Sequence, residues 1–369
     1  GAIIIGSNSI ELLLTEEPIG TLDFDMTNFT LYPSGEQPTN VQFTTATNTI
    51  TLTFANALKT NTVYQLSIAG LEDCLGNSRR GIKTDLVSTT PAVVGDLILN
   101  ELLFNPKNEG VDFIEIYNTS NKYIDLNTVN IARYTDQREN EVRVSPKRQI
   151  LYPNEYAAIC IDSIQIKTAY KDARHIIQIE SLPPMSNDNG TVLLLDHSGM
   201  ALDSVSYNED QHFALLSDVN GVSLERINFG GISHDPSNWR SASASVDFAT
   251  PGYKNSQFID VSAVEGTLNL HRKTFSPDAD GYEDLLIIRY DLNTNGNVLN
   301  GYVYDLAGRL IYHPINNKTI GSNGFVSWDG IIENGTKIPL GNYIILLEIF
   351  NLNGETSRKK YAFSVLGNF

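Results

Sequence analysis

Four acidic side chains and one glycine lie within ten residues in the stretch FSPDADGYED, at positions 275 to 284. A calcium loop of the EF type has oxygen ligands at alternate positions around a glycine. In that register, Asp278, Asp280 and Asp284 occupy ligand positions 3, 5 and 9. We therefore expect these three carboxylates to bind Ca²⁺ weakly, because position 12 is an isoleucine rather than the usual bidentate glutamate.

The same stretch also has a structural interpretation. Asp278 and Asp280 are residue types that cap turns by accepting hydrogen bonds from backbone amides two residues further on. Pro277 and Gly281 would then shape the turn before the apolar run LLIIRY. A calcium loop and a capped turn both stay open at this point.

Common catalytic motifs are absent from the sequence. It contains no Gly-x-Ser-x-Gly, His-Glu-x-x-His or Walker loop, and its six histidines are scattered singly. Ser233, His234 and Asp235 are consecutive, whereas the members of a catalytic triad converge from separate elements. We therefore predict that the chain is not an enzyme, and we predict no cofactor other than Ca²⁺.

The scaffold that positions these residues is predicted to be all-β. Apolar and polar residues alternate in many short stretches, such as NTITLTFANAL, where Ile50, Leu52 and Phe54 would share one face of a strand. Helical periodicity is confined to a short stretch at 163–176. Frequent turn signals between the strands favour Ig-like β-sandwiches.

Two joints divide the chain. They are VSTTPAVVGD at 87–96 and TPGYKNSQ at 250–257. We predict three Ig-like domains in series, at 1–94, 95–256 and 257–369. Such short joints usually leave modest interfaces, so these domains are expected to unfold largely independently.

The charge of the chain argues against one class of partner. Its formal net charge is −17, and each predicted domain is acidic. Nucleic-acid binding depends on Lys and Arg that replace counterions at phosphates, so the composition disfavours DNA and RNA as partners. The basic run SPKRQ at 145–149 is too short to change this expectation.

The termini and the cysteines say little about the subcellular localisation of the protein. No stretch approaches the ~20 apolar residues of a membrane helix. Cys74 and Cys160 fall in different predicted domains and are expected to be buried thiols. The opening GAIIIGSNSIELLL has no initiator Met and no signal-peptide pattern, so we expect that upstream residues are missing.

The middle of the chain resembles the lamin tail domain as it occurs in secreted bacterial proteins. LILNELLFNPKNEGVDFIEIYN at 97–118 is similar to the opening of that family. LYPNEYAAI, GVSLERI and SNWRSASASVDFATPGYKN continue the likeness in order. The resemblance implies an Ig-like fold and a contact with a partner through this domain.

Three carboxylates of this segment are candidate binding residues. Glu101, Asp112 and Glu115 could converge on one edge as a site for a cation or for sugar hydroxyls. Such carboxylates also commonly bind loop amides, which is the alternative here. In the same segment, Gly190 and Gly199 are expected at turns with positive φ.

The last segment resembles two kinds of secreted domain. FSPDADGYEDLLIIRYDL, VYDLAGRLIY and VSWDGIIENGTKIPLGNYIILLEI are similar to the Ig-like domain of the flagellar hook-capping protein. The motif Phe-x-Pro-Asp-x-Asp-Gly is also shared with the gliding-type secretion signal domains of the Bacteroidetes. DLAGRL stands where those domains have an Arg-Trp-Gly strand. Trp328 within SWDG is expected in the core.

The first segment resembles the bacterial Ig-like domain of surface-layer proteins, truncated at its N-terminus. NSIELLLTEEPI and LTFANALKTNTVYQLSIAGLEDCLGN carry this likeness. Together the resemblances imply an exported, non-enzymatic structural or binding protein of a Bacteroidetes-like bacterium. It would act in the periplasm, at the outer membrane surface or outside the cell, on a polysaccharide or an envelope protein. The alternative is the accessory C-terminal region of a larger secreted hydrolase or nuclease whose catalytic domain lies upstream.

Overall fold

The chain folds into two compact units. The computed structural model describes residues 1–15, 25–72, 78–107, 110–213, 216, 218–258, 268–292, 296–350 and 356–367. The first unit comprises Gly1–Ala92, Ser120–Asn127 and Lys147–Pro153, and the second comprises Val93–Thr119, Thr128–Pro146 and Asn154–Phe369.

Strands dominate both units in the described part of the chain. In chain order they are β1 (Ala2–Ile4), β2 (Ser9–Leu13), β3 (Phe29–Tyr32), β4 (Asn40–Thr44), β5 (Thr49–Thr53), β6 (Thr62–Glu72), β7 (Ser78–Ser88), β8 (Leu97–Leu103), β9 (Phe113–Asn118), β10 (Ile124–Asp125), β11 (Val129–Tyr134), β12 (Arg138–Arg143), β13 (Ile150–Leu151), β14 (Tyr156–Cys160), β15 (Ile176–Gln178), β16 (Asn189–Asp196), β17 (Ala201–Asn208), β18 (Leu224–Arg226), β19 (Trp239–Ser241), β20 (Asn269–Leu270), β21 (Thr274–Phe275), β22 (Leu286–Asp291), β23 (Asn297–Asp305), β24 (Leu310–Ile320), β25 (Asn323–Trp328), β26 (Ile331–Ile332), β27 (Thr336–Lys337), β28 (Gly341–Phe350) and β29 (Thr356–Val365). The helix α1 spans Ser163–Ala169, and 3₁₀ helices span Met26–Asn28, Leu126–Thr128, Glu209–Gln211, Pro236–Asn238, Ala244–Val246 and Glu333–Gly335. The all-β prediction and the short helix predicted within 163–176 are therefore confirmed.

The core of the first unit lies between two antiparallel sheets. One has the strand order β1-β2-β5-β4 and the other β3-β6-β7. Ile50, Leu52 and Phe54 are buried in this core. The alternation along β5 thus predicts the correct face of the strand, and apolar burial fixes its register.

The parts of the second unit that lie within residues 93–258 form two further sheets. Their strand orders are β12-β11-β16-β17 and β15-β14-β9-β8-β18-β19. The neighbouring strands β8 and β9 are buried along their whole length. The carboxylate of Asp162 accepts hydrogen bonds from the backbone N–H groups of Ile164 and Gln165, at 2.9 and 3.0 Å, and so begins α1.

Residues 268–367 of the second unit also form a sandwich. A three-stranded sheet in the order β20-β22-β25 lies against a five-stranded sheet in the order β21-β29-β28-β23-β24. Phe275, Trp328 and Phe363 are buried together in its core. The indole N–H of Trp328 donates to the carbonyl of Ile331 at 2.8 Å. Trp328 is a core residue, as the sequence predicts.

The two sandwiches of the second unit are joined by specific polar contacts. Lys318 Nζ lies 3.1 Å from a carboxylate oxygen of Asp235. Arg240 Nη2 donates to the hydroxyl of Ser327 at 3.2 Å. These segments fall within one compact unit. Independent unfolding of the predicted domains stays a prediction. The division into three domains at 94/95 and 256/257 stays a prediction.

The two glycines predicted at positive φ differ. Gly199 has φ of 84° in the turn between β16 and β17. Gly190 lies within β16 instead, where an added Cβ would be 2.5 Å from the hydroxyl oxygen of Tyr207. The predicted turn with positive φ at Gly190 is therefore wrong. Glycine is required at this position because the ring of Tyr207 covers it.

Cys160 is a buried free thiol, as expected. Cys74 lies outside the described residues. None of the helices in the described ranges is long and apolar enough to cross a membrane.

Candidate functional site

The acidic loop joins β21 to β22. Ala279, Gly281 and Glu283 have φ values of 62°, 89° and 54°, so the backbone turns tightly around the carboxylates. Oxygens of Asp278, Asp280 and Asp284 all lie within 4.8 Å of one another. Oxygens around one calcium ion lie ~2.3–2.6 Å from it, so this spacing is compatible with a shared ion.

The same carboxylates also cap the loop. Asp284 accepts hydrogen bonds from the N–H groups of Ala279 and Gly281, at 2.6 and 2.8 Å. Asp280 accepts from the N–H of Tyr282 at 2.8 Å. Burial raises the pKa of Asp284, and the charge of Asp280 adds to this effect. The capped turn is therefore present, while calcium binding stays a prediction.

The acidic loop contacts the preceding sandwich directly. Gln257 Nε2 donates to Asp284 Oδ2 at 3.2 Å. A Cβ at Gly281 would lie 2.6 Å from the hydroxyl oxygen of Ser243. The loop is thus built into the junction between residues 93–258 and residues 268–367.

A second acidic cluster lies in the interior of the six-stranded sheet. Glu115 on β9 is paired in register with Glu101 on β8, and Glu101 is paired with Glu225 on β18. The three side chains have 0% exposure. They form one cross-strand row of buried acids, which we call the glutamate row.

The glutamate row holds the C-terminal stretch of the sandwich, residues 250–257. Glu101 accepts from the N–H of Thr250 at 2.8 Å, and Glu115 accepts from the N–H of Gly252. Glu225 accepts from the N–H groups of Ser256 and Gln257, at 3.0 and 2.8 Å. Buried carboxylates need such donors, because an unpaired buried charge is strongly unfavourable.

One shared hydroxyl indicates the protonation state of the row. Thr250 Oγ1 lies 3.0 Å from Glu101 Oε2 and 2.7 Å from Glu225 Oε1. A threonine hydroxyl has one proton to donate. Both contacts are satisfied when Glu101 is protonated and donates to Thr250, which in turn donates to Glu225. Burial, together with the charge of Glu225, raises the pKa of Glu101 to about 8, in agreement with this arrangement.

The structure brings two of the three predicted binding residues together. Glu101 and Glu115 are neighbours, but in the interior rather than at an open edge. Asp112 is not hydrogen-bonded to either of them in the described part of the chain, and burial raises its pKa to about 6. Glu225 completes the row, and the sequence does not predict it as a binding residue, although it lies in the motif GVSLERI.

The consecutive residues Ser233, His234 and Asp235 point apart, as predicted. Ser233 donates to Asp203 at 2.6 Å, and Asp235 pairs with Lys318. His234 Nε2 lies 2.7 Å from the hydroxyl of Ser204, and no carboxylate among the described residues is hydrogen-bonded to this imidazole. A serine and histidine pair without a third group to orient the ring lacks the geometry of a triad.

A cleft of about 840 Å³ lies between the two sandwiches of the second unit. Its roof is the loop 228–238. Its floor is the outer face of the sheet β20-β22-β25, together with the β24–β25 turn. This volume falls within the range of about 300–1,000 Å³ that is usual for ligand pockets.

Two family models match parts of the chain. Residues 90–209 match the Lamin Tail Domain, and residues 269–364 match the CHU_C Type IX secretion signal domain. The chain carries both domains. The second match agrees with the secretion-signal resemblance of Phe-x-Pro-Asp-x-Asp-Gly, in spite of DLAGRL at the position of Arg-Trp-Gly. A type IX signal indicates export, so the predicted exported localisation is confirmed.

No curated protein matches the chain. Among solved structures, the S-layer protein rSbsC(31-844) is similar at a TM-score of 0.22 and 9% identity, over 100% of this chain and 53% of that one. This chain therefore spans about half of that structure. Latent PorU from Porphyromonas gingivalis is similar at 0.23 and 11% identity, over 89% and 26%. The Bacteroides ovatus glucan-utilisation protein SGBP-B, in complex with a mixed-linkage heptasaccharide, is similar at 0.18 and 11% identity, over 92% and 60%.

The sandwich that contains the matched lamin tail residues contributes different chemistry to each site. Its glutamate row is occupied by the domain's own backbone and hydroxyl groups, so this row closes the fold. Its loop 228–238 instead faces the cleft, with Ile232 73% exposed. This loop therefore presents an exposed apolar group to the cleft.

Proposed function

We propose that this exported chain is a non-catalytic binding or structural protein of the bacterial cell envelope or surface, and that its lamin tail domain contacts the partner. The observation that carries this proposal is the cleft under loop 228–238. The loop belongs to the sandwich of the lamin tail domain, and the floor belongs to the secretion signal domain. A ligand in the cleft would therefore contact both domains.

The loop over the cleft is held rigidly from within the lamin tail domain. Arg226 is buried, pairs with Asp203 at 3.0 Å and donates to the carbonyl of Gly231 at 3.2 Å. The indole N–H of Trp239 donates to the carbonyl of Ser233 at 2.8 Å. A roof fixed in this way loses little conformational entropy when a partner binds, which favours affinity.

The titratable groups support a role without catalysis. The domains found in this chain are a lamin tail domain and a secretion signal domain, which are non-catalytic. The acids with the most strongly raised pKa values, Glu101 and Glu115, are fully buried and bind backbone amides of the same domain. Their perturbation serves the fold, since no solvent or substrate reaches them.

The test is co-sedimentation of the purified chain with envelope fragments from a bacterium that has a type IX secretion system. We expect binding that Ile232→Asp weakens severalfold. Ile164→Asp is the matched control, because Ile164 is 74% exposed on α1 of the same sandwich, compared with 73% for Ile232, and does not line the cleft.

Two outcomes would refute the proposal. The first is no association of the intact chain, or equal loss in the two variants. The second is turnover in a screen of esterase, glycosidase, nuclease and peptidase substrates that a point change at one conventional catalytic residue abolishes.

A further inference from the structure

We propose that the cleft between the two domains is a binding site for a neutral oligosaccharide or a short stretch of a neutral polysaccharide. This inference rests on the proposed function and names the chemical class of its partner.

The floor presents a grid of side chains on the outer face of one sheet. Asn269, Arg289 and Phe325 form one cross-strand row, because Asn269 pairs with Arg289 and Arg289 with Phe325. Asp291 and Asn323 form the next row on the same face. All five residues line the cleft. Neighbouring strands lie ~4.8 Å apart, so adjacent amide and charged groups can contact hydroxyls of a single sugar ring.

Aromatic surfaces lie beside these polar groups. Phe325 lines the cleft from the outer face of the sheet and is half-buried. Tyr290 and Tyr361 also line the cleft, and both pack against the core of the same sandwich. The roof adds the exposed side chain of Ile232. Aromatic and apolar walls with a few placed hydrogen-bonding groups are the usual lining of small-molecule sites. This mixture suits a ring that has both C–H faces and hydroxyl edges.

The charge of the lining disfavours a polyanion. Two acidic residues, Asp235 and Asp291, are matched by two basic residues, Lys273 and Arg289. The whole chain has a formal net charge of −17. A nucleic acid or an acidic polysaccharide would meet no cationic excess, which such ligands require. A neutral ligand fits this balance.

The backbone at the centre of the floor disfavours a peptide. Peptides that add to a sheet need an unpaired edge strand. The central strand of the floor, β22, is paired on both sides, with β20 and with β25. The floor therefore offers a face of side chains, which suits recognition of hydroxyls better than recognition of a main chain.

The experiment is affinity electrophoresis of the full chain in gels that contain one polysaccharide each. The neutral probes are mixed-linkage β-glucan, xyloglucan, galactomannan, amylopectin and dextran, and the acidic probes are alginate and polygalacturonate. We expect retardation by at least one neutral probe. Phe325→Ala and Asn323→Ala should each weaken it about tenfold, as is usual for a contact at the centre of a site.

Matched controls separate binding from folding. Tyr134→Ala removes an aromatic side chain that is 46% exposed on β11, and Asn40→Ala removes an exposed amide on β4, both outside the cleft. These variants should be retarded as strongly as the unchanged chain. Asn323 is exposed, so Asn323→Ala keeps the test decisive if Phe325→Ala unfolds.

The inference is overturned if no neutral probe retards the chain, if only acidic probes do, or if both cleft variants bind normally. Its failure can be told apart from failure of the proposed function. Envelope fragments treated with periodate, which cleaves vicinal diols, should lose binding, whereas protease-treated fragments should keep it. The reverse result keeps an envelope partner and makes it a protein. No binding to untreated fragments refutes the proposed function itself.

Discussion

Gln257 donates a hydrogen bond from its side-chain amide to Asp284 at 3.2 Å, and through its backbone N–H it also binds Glu225 at 2.8 Å. One residue thus connects the glutamate row of the lamin tail domain to the acidic loop of the secretion signal domain. Changes at either acidic cluster are therefore expected to reach the other domain.

Calcium should stabilise the whole second unit. Three carboxylates on one turn repel one another without a cation, so an ion bound to Asp278, Asp280 and Asp284 removes that repulsion. The gain is RT ln(1 + [Ca]/Kd), or about 1.4 kcal/mol at ten times Kd. Thermal melts of the full chain with and without calcium, at matched ionic strength, measure it.

Asp280→Ala should abolish the calcium effect, and Asp136→Ala, an exposed residue outside the loop, should leave it intact. Magnesium should act far more weakly, because it resists dehydration and demands octahedral geometry. Identical melts in the two buffers would leave the loop as a capped turn alone.

The free energy of unfolding should fall as the pH rises above the ordinary pKa of a glutamate side chain. The pKa of Glu101 is about 8 in the folded chain and 4.5 as a free side chain. A raised folded pKa contributes stability that is complete below pH 4.5 and is lost as the pH rises through 8. The loss is on the order of a few kcal/mol, since one pKa unit is worth about 1.4 kcal/mol. Urea unfolding at pH 5 and at pH 8.5 measures it.

Glu101→Gln is the control for this pH dependence. A glutamine amide can donate to Thr250 as the protonated acid does, so the variant should fold and lose much of the difference between the two pH values. The same pH dependence in the variant would assign the effect to the other buried acids, Glu115 first, instead of Glu101.

Gly281→Ala should destabilise the second unit by about 1–3 kcal/mol. The residue has a positive φ that alanine adopts only with strain, and the added Cβ would also collide with the hydroxyl of Ser243. Gly308→Ala is the matched comparison. Gly308 has φ of 80°, but a Cβ there would meet nothing within 4 Å. The excess loss at Gly281, measured by thermal unfolding, reports the packing of the loop on the lamin tail domain. Equal losses would mean that backbone strain explains both.

The sandwiches of the second unit should unfold together. Calorimetry of the full chain is expected to show one transition for this unit. A fragment ending at Gln257 lacks the partners of Asp235 and Arg240, namely Lys318 and Ser327, so its lamin tail domain should melt at a lower temperature. An unchanged melting midpoint for that domain in the fragment would show that the two domains unfold independently.

Local patterns in the sequence predict the strands well, because burial of Ile50 and Leu52 follows directly from alternation. The glutamate row could not be predicted in full. Glu225 lies opposite Glu101 only because β18 pairs with β8, and the register between strands so distant in the chain is not visible in a short motif. The contact of Gln257 with Asp284 has the same cause. Side-chain packing also explains the glycine at position 190, which is required by contact with the ring of Tyr207 and not by a turn.

The glutamate row determines when the lamin tail domain can finish folding during synthesis. Glu101 is made early, and its partner Thr250 follows 149 residues later. Contacts at such separation form late, because the intervening chain must first be closed into a loop. Until residues 250–257 have been synthesised, the three glutamates lack their backbone donors, and Glu225 also lacks the hydroxyl donors Thr250 and Ser256. The lamin tail domain can therefore complete its fold only after residues 250–257 have been synthesised, shortly before synthesis of the secretion signal domain begins.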